Sequence, residues 1–201
     1  MWDSFFSADR QRRKALQKAP ESPLREFLGT PFPDRRTDCR KVGIVSVDLE
    51  TTGLDPERDA ILSLGVVEMR GMSIKLGTAW HEILRVDREI PEETAIIHHI
   101  TDDRAAAGAA LEDILPVLLR RLAGKVLLAH YAPIEKNFLD TACRQLYGAP
   151  FVVPTIDTLV LAQRILERRN ASIQTGDLRL FNLRPRYNLP RYKAHNALSD
   201  A

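Results

Sequence analysis

Two carboxylates stand two residues apart at the end of an apolar segment. Val42–Val47 is apolar and rich in β-branched residues, which predicts a buried strand, and Asp48 and Glu50 follow it. Alternate residues of a strand point to the same face, so we expect both side chains on one face. Burying two carboxylates is costly unless a cation offsets their charge, and Mg²⁺ or Mn²⁺ prefers such oxygen ligands. The alternative is a strand end with solvated acids, which the Asp-x-Glu pattern alone would favour.

Two later segments add candidates for the same kind of site. Residues 129–135 predict a short strand that leads into a helix, and they contain His130 and Glu135. Residues 195–201 contain His195 and Asp200. On one continuous helix the last two would lie about 140° apart. They can therefore converge only if His195 precedes the helix and Asn196 is its N-cap.

Together these segments resemble the three motifs of the DEDDh exonucleases. This ribonuclease-H-like, DnaQ-like family includes the proofreading epsilon subunit of bacterial DNA polymerase III. The first motif is Val-Asp-Leu-Glu-Thr-Thr-Gly at residues 47–53, and the match in order and spacing extends over residues 42–201. Two positions depart from the family pattern, because Tyr131 replaces its usual Asn and Glu135 its usual Asp. Glu135 has an alternative interpretation as an exposed acid that stabilises a helix N-terminus.

The resemblance implies two Mg²⁺ or Mn²⁺ ions and a set of site residues. The implied metal ligands are Asp48, Glu50, Glu135 and Asp200, with Asp48 between the two ions. His195 would be the general base, since its ordinary pKa is near ~6.5. The implied substrate-binding residues are Thr51, Thr52, Leu54 and His98. For Leu54 a core position, and for His98 a structural role, remain open.

The elements that must position these residues predict an α/β fold. Three strands joined by short links come first, and the third is expected to be interrupted around Gly77. Alternating helices and strands follow, with a kink or a late start at Pro116. The pattern predicts a ribonuclease-H-like mixed five-stranded sheet, an antiparallel meander and then parallel strands, flanked by helices. The predicted elements after residue 47 are strands 61–69, 72–85, 126–129 and 151–156, and helices 111–122, 134–146 and 158–168.

The chain divides into an extension and a domain. Residues 1–40 predict a partly helical, Pro-rich extension whose apolar side chains dock on the domain or on a partner protein such as a polymerase. Residues 41–201 predict the exonuclease domain, with its last helix, which carries Asp200, cut short.

Composition and charge narrow the class of protein. The net charge of +2 conceals a basic stretch at residues 164–193, with eight Lys or Arg against two acids. Such a stretch fits a phosphate track or, equally, a solvated helix and loop. No apolar run approaches the ~20 residues of a membrane span, and no signal peptide is evident, so no membrane partner is expected. Two cysteines fit a cytoplasmic protein better than a disulfide scaffold.

These features predict a metal-dependent 3′–5′ exonuclease. It would hydrolyse phosphodiester bonds from the 3′ end of single-stranded nucleic acid and release nucleoside monophosphates. DNA is favoured over RNA as the partner, although the sequence leaves the choice between them open. One alternative is a catalytically impaired nucleic-acid binding module on the same fold. Another is an oligoribonuclease-type enzyme.

Overall fold

The computed structural model describes residues 3–86, 100–190 and 196–201. The strands are β1 (Ile44–Thr51), β2 (Ile61–Arg70), β3 (Ser73–Ile83), β4 (Val126–Ala129) and β5 (Thr155–Asp157). The helices are α1 (Asp3–Lys18), α2 (Pro23–Gly29), α3 (Asp102–Ala106), α4 (Leu111–Leu122), α5 (Pro133–Tyr147), α6 (Thr158–Arg168), α7 (Leu180–Arg186) and α8 (Ala197–Asp200). In these ranges, every helix is too short or too polar to cross a bilayer.

The five strands form one mixed sheet in the order β3-β2-β1-β4-β5. β2 pairs antiparallel with both β1 and β3, whereas the β1–β4 and β4–β5 pairs are parallel. The predicted architecture, a meander followed by parallel strands and flanked by helices, is confirmed. Its central strand is β1, so the first pair of carboxylates lies in the middle of the sheet.

One face of the sheet carries the main hydrophobic core. Val45, Val47 and Leu49 belong to this core, together with the buried apolar residues of α4 and α5. Since side chains alternate along a strand, Asp48 and Glu50 point to the opposite face. The fold thus separates the packing face of β1 from the face that carries its polar groups.

The segment before β1 shares this core. Leu24, Phe27 and Leu28 of α2 are fully buried and lie in the main core cluster. α2 packs against α4, and the ring of Phe27 stacks on that of Phe151 with centroids 5.5 Å apart. The division of the chain at residue 40 stays a prediction.

Strand β5 is shorter than the sequence predicts. The pattern favoured a strand over residues 151–156, but pairing is confined to Thr155–Asp157. Phe151 and Val153 are buried in the main core from an irregular segment. Pro154 has no N–H to donate, although its carbonyl accepts from the Leu127 amide at 2.9 Å. Apolar burial, rather than sheet pairing, accounts for the hydrophobic run.

Two interruptions expected from the sequence have different outcomes. β3 extends without a break from Ser73 to Ile83, so the interruption expected around Gly77 is limited to a register shift in its pairing with β2, between Lys75 and Trp80. The late start expected at Pro116 is wrong, because α4 begins at Leu111 and contains the proline. An interior proline costs a helix about 3 kcal/mol. The five buried side chains of α4 offset that cost; they are Ile114, Leu115, Leu118, Leu119 and Leu122.

Candidate active site

Three carboxylates from distant parts of the chain meet on the polar face of the sheet. Asp48 and Glu50 project from β1, and Asp200 projects from α8. One oxygen of each lies within 4.8 Å of the others. Glu50 is buried, and the other two are half-buried. Hard oxygen donors this close, and partly withdrawn from water, suit a divalent cation.

The approach of α8 to the sheet depends on a glycine. Gly65 of β2 pairs directly with Asp48, and α8 lies over it. A Cβ at Gly65 would lie 2.1 Å from the backbone carbonyl of Ala197, far inside contact distance. As expected, Asn196 is the N-cap of α8, and its side chain accepts from the Ser199 amide at 3.1 Å. Gly65 and the cap together bring Asp200 beside β1.

A buried arginine lies against the third carboxylate. Nη2 of Arg184, on α7, donates to Oδ1 of Asp200 and to the carbonyl of Ser199, both at 2.8 Å. Arg184 thereby links α7 to α8 and places a positive charge beside the carboxylate cluster. The sequence suggested that the arginines of residues 164–193 face solvent or phosphates, and for Arg184 this is wrong, because its side chain is buried.

Glu135 lies in the same cleft, outside the group of three. It stands in the first turn of α5, is buried, and lines a cleft of about 670 Å³ with Asp48, Arg184 and Asp200. Burial raises its pKa to about 7, which backbone hydrogen bonds at Glu135 and Leu49 partly oppose. Within the described part of the chain, its Oε2 has no hydrogen-bond partner. The interpretation of Glu135 as an exposed helix-start acid is therefore wrong.

The cluster carries an excess of negative charge. Burial raises the pKa of Asp48 well above its ordinary value, and the charges of Glu50, Glu135 and Asp200 raise it further. The positive charge of Arg184 lowers the same pKa. A cation bound among these carboxylates would remove the repulsion that raises the pKa of Asp48.

The second motif forms a tight turn held by an aspartate. Tyr131 has a φ of 67°, in the left-handed region, where Asn is tolerated better than Tyr. The carboxylate of Asp157 accepts from the amides of Tyr131 and Ala132 at 3.2 and 3.1 Å. Asp157 also N-caps α6 through the amides of Leu159 and Val160. Asp157 therefore fixes the loop that leads into α5, the helix that carries Glu135.

His130 has a structural position in this turn. Its Nε2 donates to the Leu178 carbonyl at 2.8 Å, and its Nδ1 contacts the Thr158 hydroxyl at the same distance. Burial lowers its pKa, which favours the neutral ring. Both ring nitrogens are occupied by these contacts, so His130 ties the loop to α6 and to the segment before α7.

The predicted substrate-binding residues of the first motif have distinct surroundings. Thr51 and Thr52 are buried, and the Thr52 amide donates to the Ala60 carbonyl at 2.9 Å. Leu54 is 78% exposed, so it is not a core residue. The predicted general base His195 and the predicted substrate contact His98 both lie outside the described residues.

Comparison with known proteins places the chain in a family. The family model for exonucleases of the RNase_T type, described as "Exonuclease", matches residues 45–201. The chain belongs to this exonuclease family. The resemblance drawn from the three motifs is confirmed, and the match begins one residue after the start of β1.

Two curated relatives of this exonuclease domain are bacterial DNA polymerase III proteins. It is 32% identical to the PolC-type DNA polymerase III of Thermotoga maritima over 78% of the chain, which spans only 11% of that relative. It is 30% identical to the DNA polymerase III subunit epsilon of Treponema pallidum, covering 80% of the chain and 72% of that subunit. Among solved structures, a complex of E. coli exonuclease I with single-stranded DNA aligns with a TM-score of 0.69. That match has 16% identity and covers 80% of this chain and 38% of exonuclease I, so it shows a shared fold.

Three residues that build the site of this exonuclease domain lie outside the three motifs. Arg184 follows Leu180 and Leu183 at helical spacing, which places it on an apolar face where a charge needs a partner. Gly65 interrupts an apolar strand, a signal of close backbone approach. Asp157 directly precedes a helix, a common N-cap position. The sequence contains a signal for each of these residues, but no signal identifies the group that the residue contacts.

Proposed function

We propose that this chain is a metal-dependent 3′–5′ exonuclease that acts on single-stranded nucleic acid, DNA in preference to RNA. One observation carries the proposal: one carboxylate oxygen each of Asp48, Glu50 and Asp200 lies within 4.8 Å of the others, beside a cleft that Asp48 and Asp200 line. Membership of the exonuclease family supports the same reaction class. The products would be nucleoside 5′-monophosphates.

The residues present fit two Mg²⁺ or Mn²⁺ ions. Asp48, Glu50 and Asp200 would hold one, and Asp48 would share the other with Glu135, directly or through water. The bare Oε2 of Glu135, buried in the cleft, supports its part in this set. When bound, the cations would neutralise the phosphoryl oxygens, make a water molecule more acidic and help the leaving oxygen depart.

The chain's own groups would do the rest of the chemistry. His195, one residue before the N-cap of α8, would accept the proton of the attacking water. Thr51 and Thr52 would hold the terminal 3′-hydroxyl through backbone atoms other than the Thr52 amide, which is already bonded to Ala60. Leu54, exposed beside this loop, would pack against the terminal base. His98 would border the terminal nucleotide.

The decisive experiment follows a 5′-labelled strand with time. Single-stranded DNA and RNA are incubated with the protein in Mg²⁺, in Mn²⁺ and in EDTA. The proposal expects a ladder that shortens one nucleotide at a time from the 3′ end, faster for DNA, and absent in EDTA. The matched control is Asp48→Asn, which should abolish the ladder without lowering the melting temperature in EDTA, because it removes a repelled carboxylate.

Other outcomes identify the alternatives. Strand binding without cleavage would indicate the impaired binding module, for which Arg184, a cation already paired with Asp200, is the favouring observation. Cleavage confined to strands of a few nucleotides would indicate an oligoribonuclease-type enzyme. The proposal also includes a polymerase as the protein partner of this chain and the cytoplasm as the compartment of both. The epsilon-type relative supports the partner.

A further inference from the structure

A second groove, lined by basic residues, lies on the segment before β1. It has a volume of about 1330 Å³ and is formed by α1 and by residues 31–36, with Pro154 at one side. Two carboxylates line it, those of Asp9 and Asp34. Six cationic side chains line it: Arg10, Arg12, Arg13, Lys14, Arg35 and Arg36. The excess of positive charge suits a polyanion.

Half of these cations are available for a ligand. Arg12 is buried, with its guanidinium 5.4 Å from the ring centroid of Phe32, and both Arg12 and Arg13 form ion pairs with Asp9. Arg10, Lys14 and Arg36 are exposed, and each lacks an ion-pair partner within the described ranges. Asp9 thus holds Arg12 and Arg13 in the wall of the groove, whereas Arg10, Lys14 and Arg36 are exposed to solvent.

A cavity joins the groove on one side and is lined on the other by residues next in sequence to those of the carboxylate cleft. The groove shares Pro33, Asp34 and Arg35 with this cavity, which has a volume of about 650 Å³ and lies on the polar face of the sheet. That cavity reaches Ala132 and Pro133, which lie between the cleft residues Tyr131 and Ile134. Between the groove and the cleft, the cavity has an apolar floor, and Lys136 and Arg164 also line the cavity. The floor consists of Val42, Ile44, Val126 and Ile156.

We propose that this basic groove binds the phosphate backbone of the single strand whose 3′ end lies in the carboxylate cleft. The inference rests on the proposed function and adds a substrate-binding surface whose three exposed cations, Arg10, Lys14 and Arg36, precede the matched residues 45–201. The three exposed cations would contact phosphates without reading sequence, and the aliphatic floor would pack against bases. Binding would therefore strengthen with strand length.

Binding of labelled oligothymidylate in EDTA tests the groove without cleavage. Strands of about 4 and about 16 nucleotides cover the usual site sizes of single-strand grooves. The groove variant combines Arg10→Gln, Lys14→Gln and Arg36→Gln in the full chain. The matched control combines Arg70→Gln, Lys75→Gln and Arg120→Gln, which removes three exposed charges that line neither the groove nor the cleft.

The groove variant should lose at least about tenfold in affinity for the long strand relative to the control. The slope of log affinity against log salt should fall by about 2, since each phosphate contact on a single strand contributes about 0.7. Should the triple variant melt below the control, Lys14→Gln and Arg36→Gln measured singly should each lower the slope by about 0.7.

Two results would overturn the inference. In the first, the groove variant binds the long strand as the control does. In the second, long-strand affinity is retained but affinity for polyglutamate falls, which would assign the groove to an acidic protein. If the groove variant loses affinity for the long strand and the wild-type protein never cleaves DNA, the groove is supported and the proposed function is rejected. Failure of the inference and failure of the proposed function are therefore distinguishable.

Discussion

Arg184 and Asp200 form an ion pair that is almost closed to solvent, with Nη2 and Oδ1 2.8 Å apart and side chains 8% and 12% exposed. The same guanidinium nitrogen binds the Ser199 carbonyl. A cation in this position offsets the charge of the cluster when no metal is bound, and it also fixes the helix that carries a proposed metal ligand. Arg184 is thus best described as a positioning residue.

Arg184→Met should destabilise the metal-free protein by about 3 kcal/mol, because removing one partner leaves a charge largely buried and uncompensated. Mg²⁺ should restore part of this loss, since a bound cation would replace the missing charge. Urea unfolding in EDTA and in Mg²⁺ measures both effects. The control is Arg186→Met, whose partner Asp177 is 3.4 Å away at the surface and should contribute less than about 1 kcal/mol. Equal losses in the two variants would contradict the positioning role.

Gly65→Ala should separate metal binding from folding. The new Cβ would collide with the Ala197 backbone, so α8, only four residues long, must move away from β2 and take Asp200 with it. We expect Mn²⁺ affinity, measured by isothermal titration calorimetry, to fall at least about tenfold, because metal sites tolerate errors of only ~0.2 Å. Gly77→Ala is the control, since its Cβ would meet no atom within 4 Å. Equal Mn²⁺ affinities would show that α8 adapts without displacing Asp200.

Tyr131→Asn should stabilise the protein, against the usual direction of substitutions. Tyr131 has a left-handed φ of 67° and is 52% exposed, so Asn would relieve backbone strain at little cost in packing. The expected gain is about 1 kcal/mol by thermal unfolding. Tyr187→Asn makes the same chemical change at a residue of similar exposure, 45%, but with a φ of −107°. A loss of stability at both positions would mean that the Tyr131 ring contributes more than the strain costs.

The sequence predicted the local parts of the site well. Asp48 and Glu50 share a face because of the two-residue period of a strand, and Asn196 is an N-cap because of its side chain. Both properties depend only on neighbouring residues, so a pattern reveals them. The order of the elements likewise predicted the sheet, because short links restrict the possible topologies.

The unpredicted parts depend on contacts between distant residues. The spacing of residues 184 and 200 does not indicate an ion pair, and nothing near Gly65 in sequence indicates that α8 will lie on it. The short β5 has a similar cause, since Phe151 satisfies its hydrophobicity in the core without pairing. Tertiary contacts decide such cases, and a periodic pattern does not contain them.

Glu135 should make the metal-free protein less stable as pH rises. Its folded pKa of about 7 exceeds the ordinary value of 4.5, so the folded state retains this proton when the unfolded state has lost it. Stability therefore falls between about pH 4.5 and pH 7, by at most roughly 3 kcal/mol from this group. Glu135→Gln removes that component. Glu135→Gln also removes one of the charges that raise the pKa of Asp48, so it weakens the pH dependence from Asp48 in the same direction.

Urea unfolding in EDTA at pH 5 and pH 8 isolates the Glu135 component. Wild type and Glu135→Gln should be similarly stable at pH 5, and the variant should be the more stable at pH 8. Glu112→Gln is the control, because Glu112 also stands in the first turn of a helix but is exposed, and it should leave the pH profile unchanged. Adding Mg²⁺ at pH 8 should stabilise wild type more than Glu135→Gln, since only the ionised carboxylate is a good ligand. Parallel pH profiles for wild type and Glu135→Gln would mean that Glu135 ionises as freely as a surface acid. Equal stabilisation of the two proteins by Mg²⁺ would exclude Glu135 from the metal site.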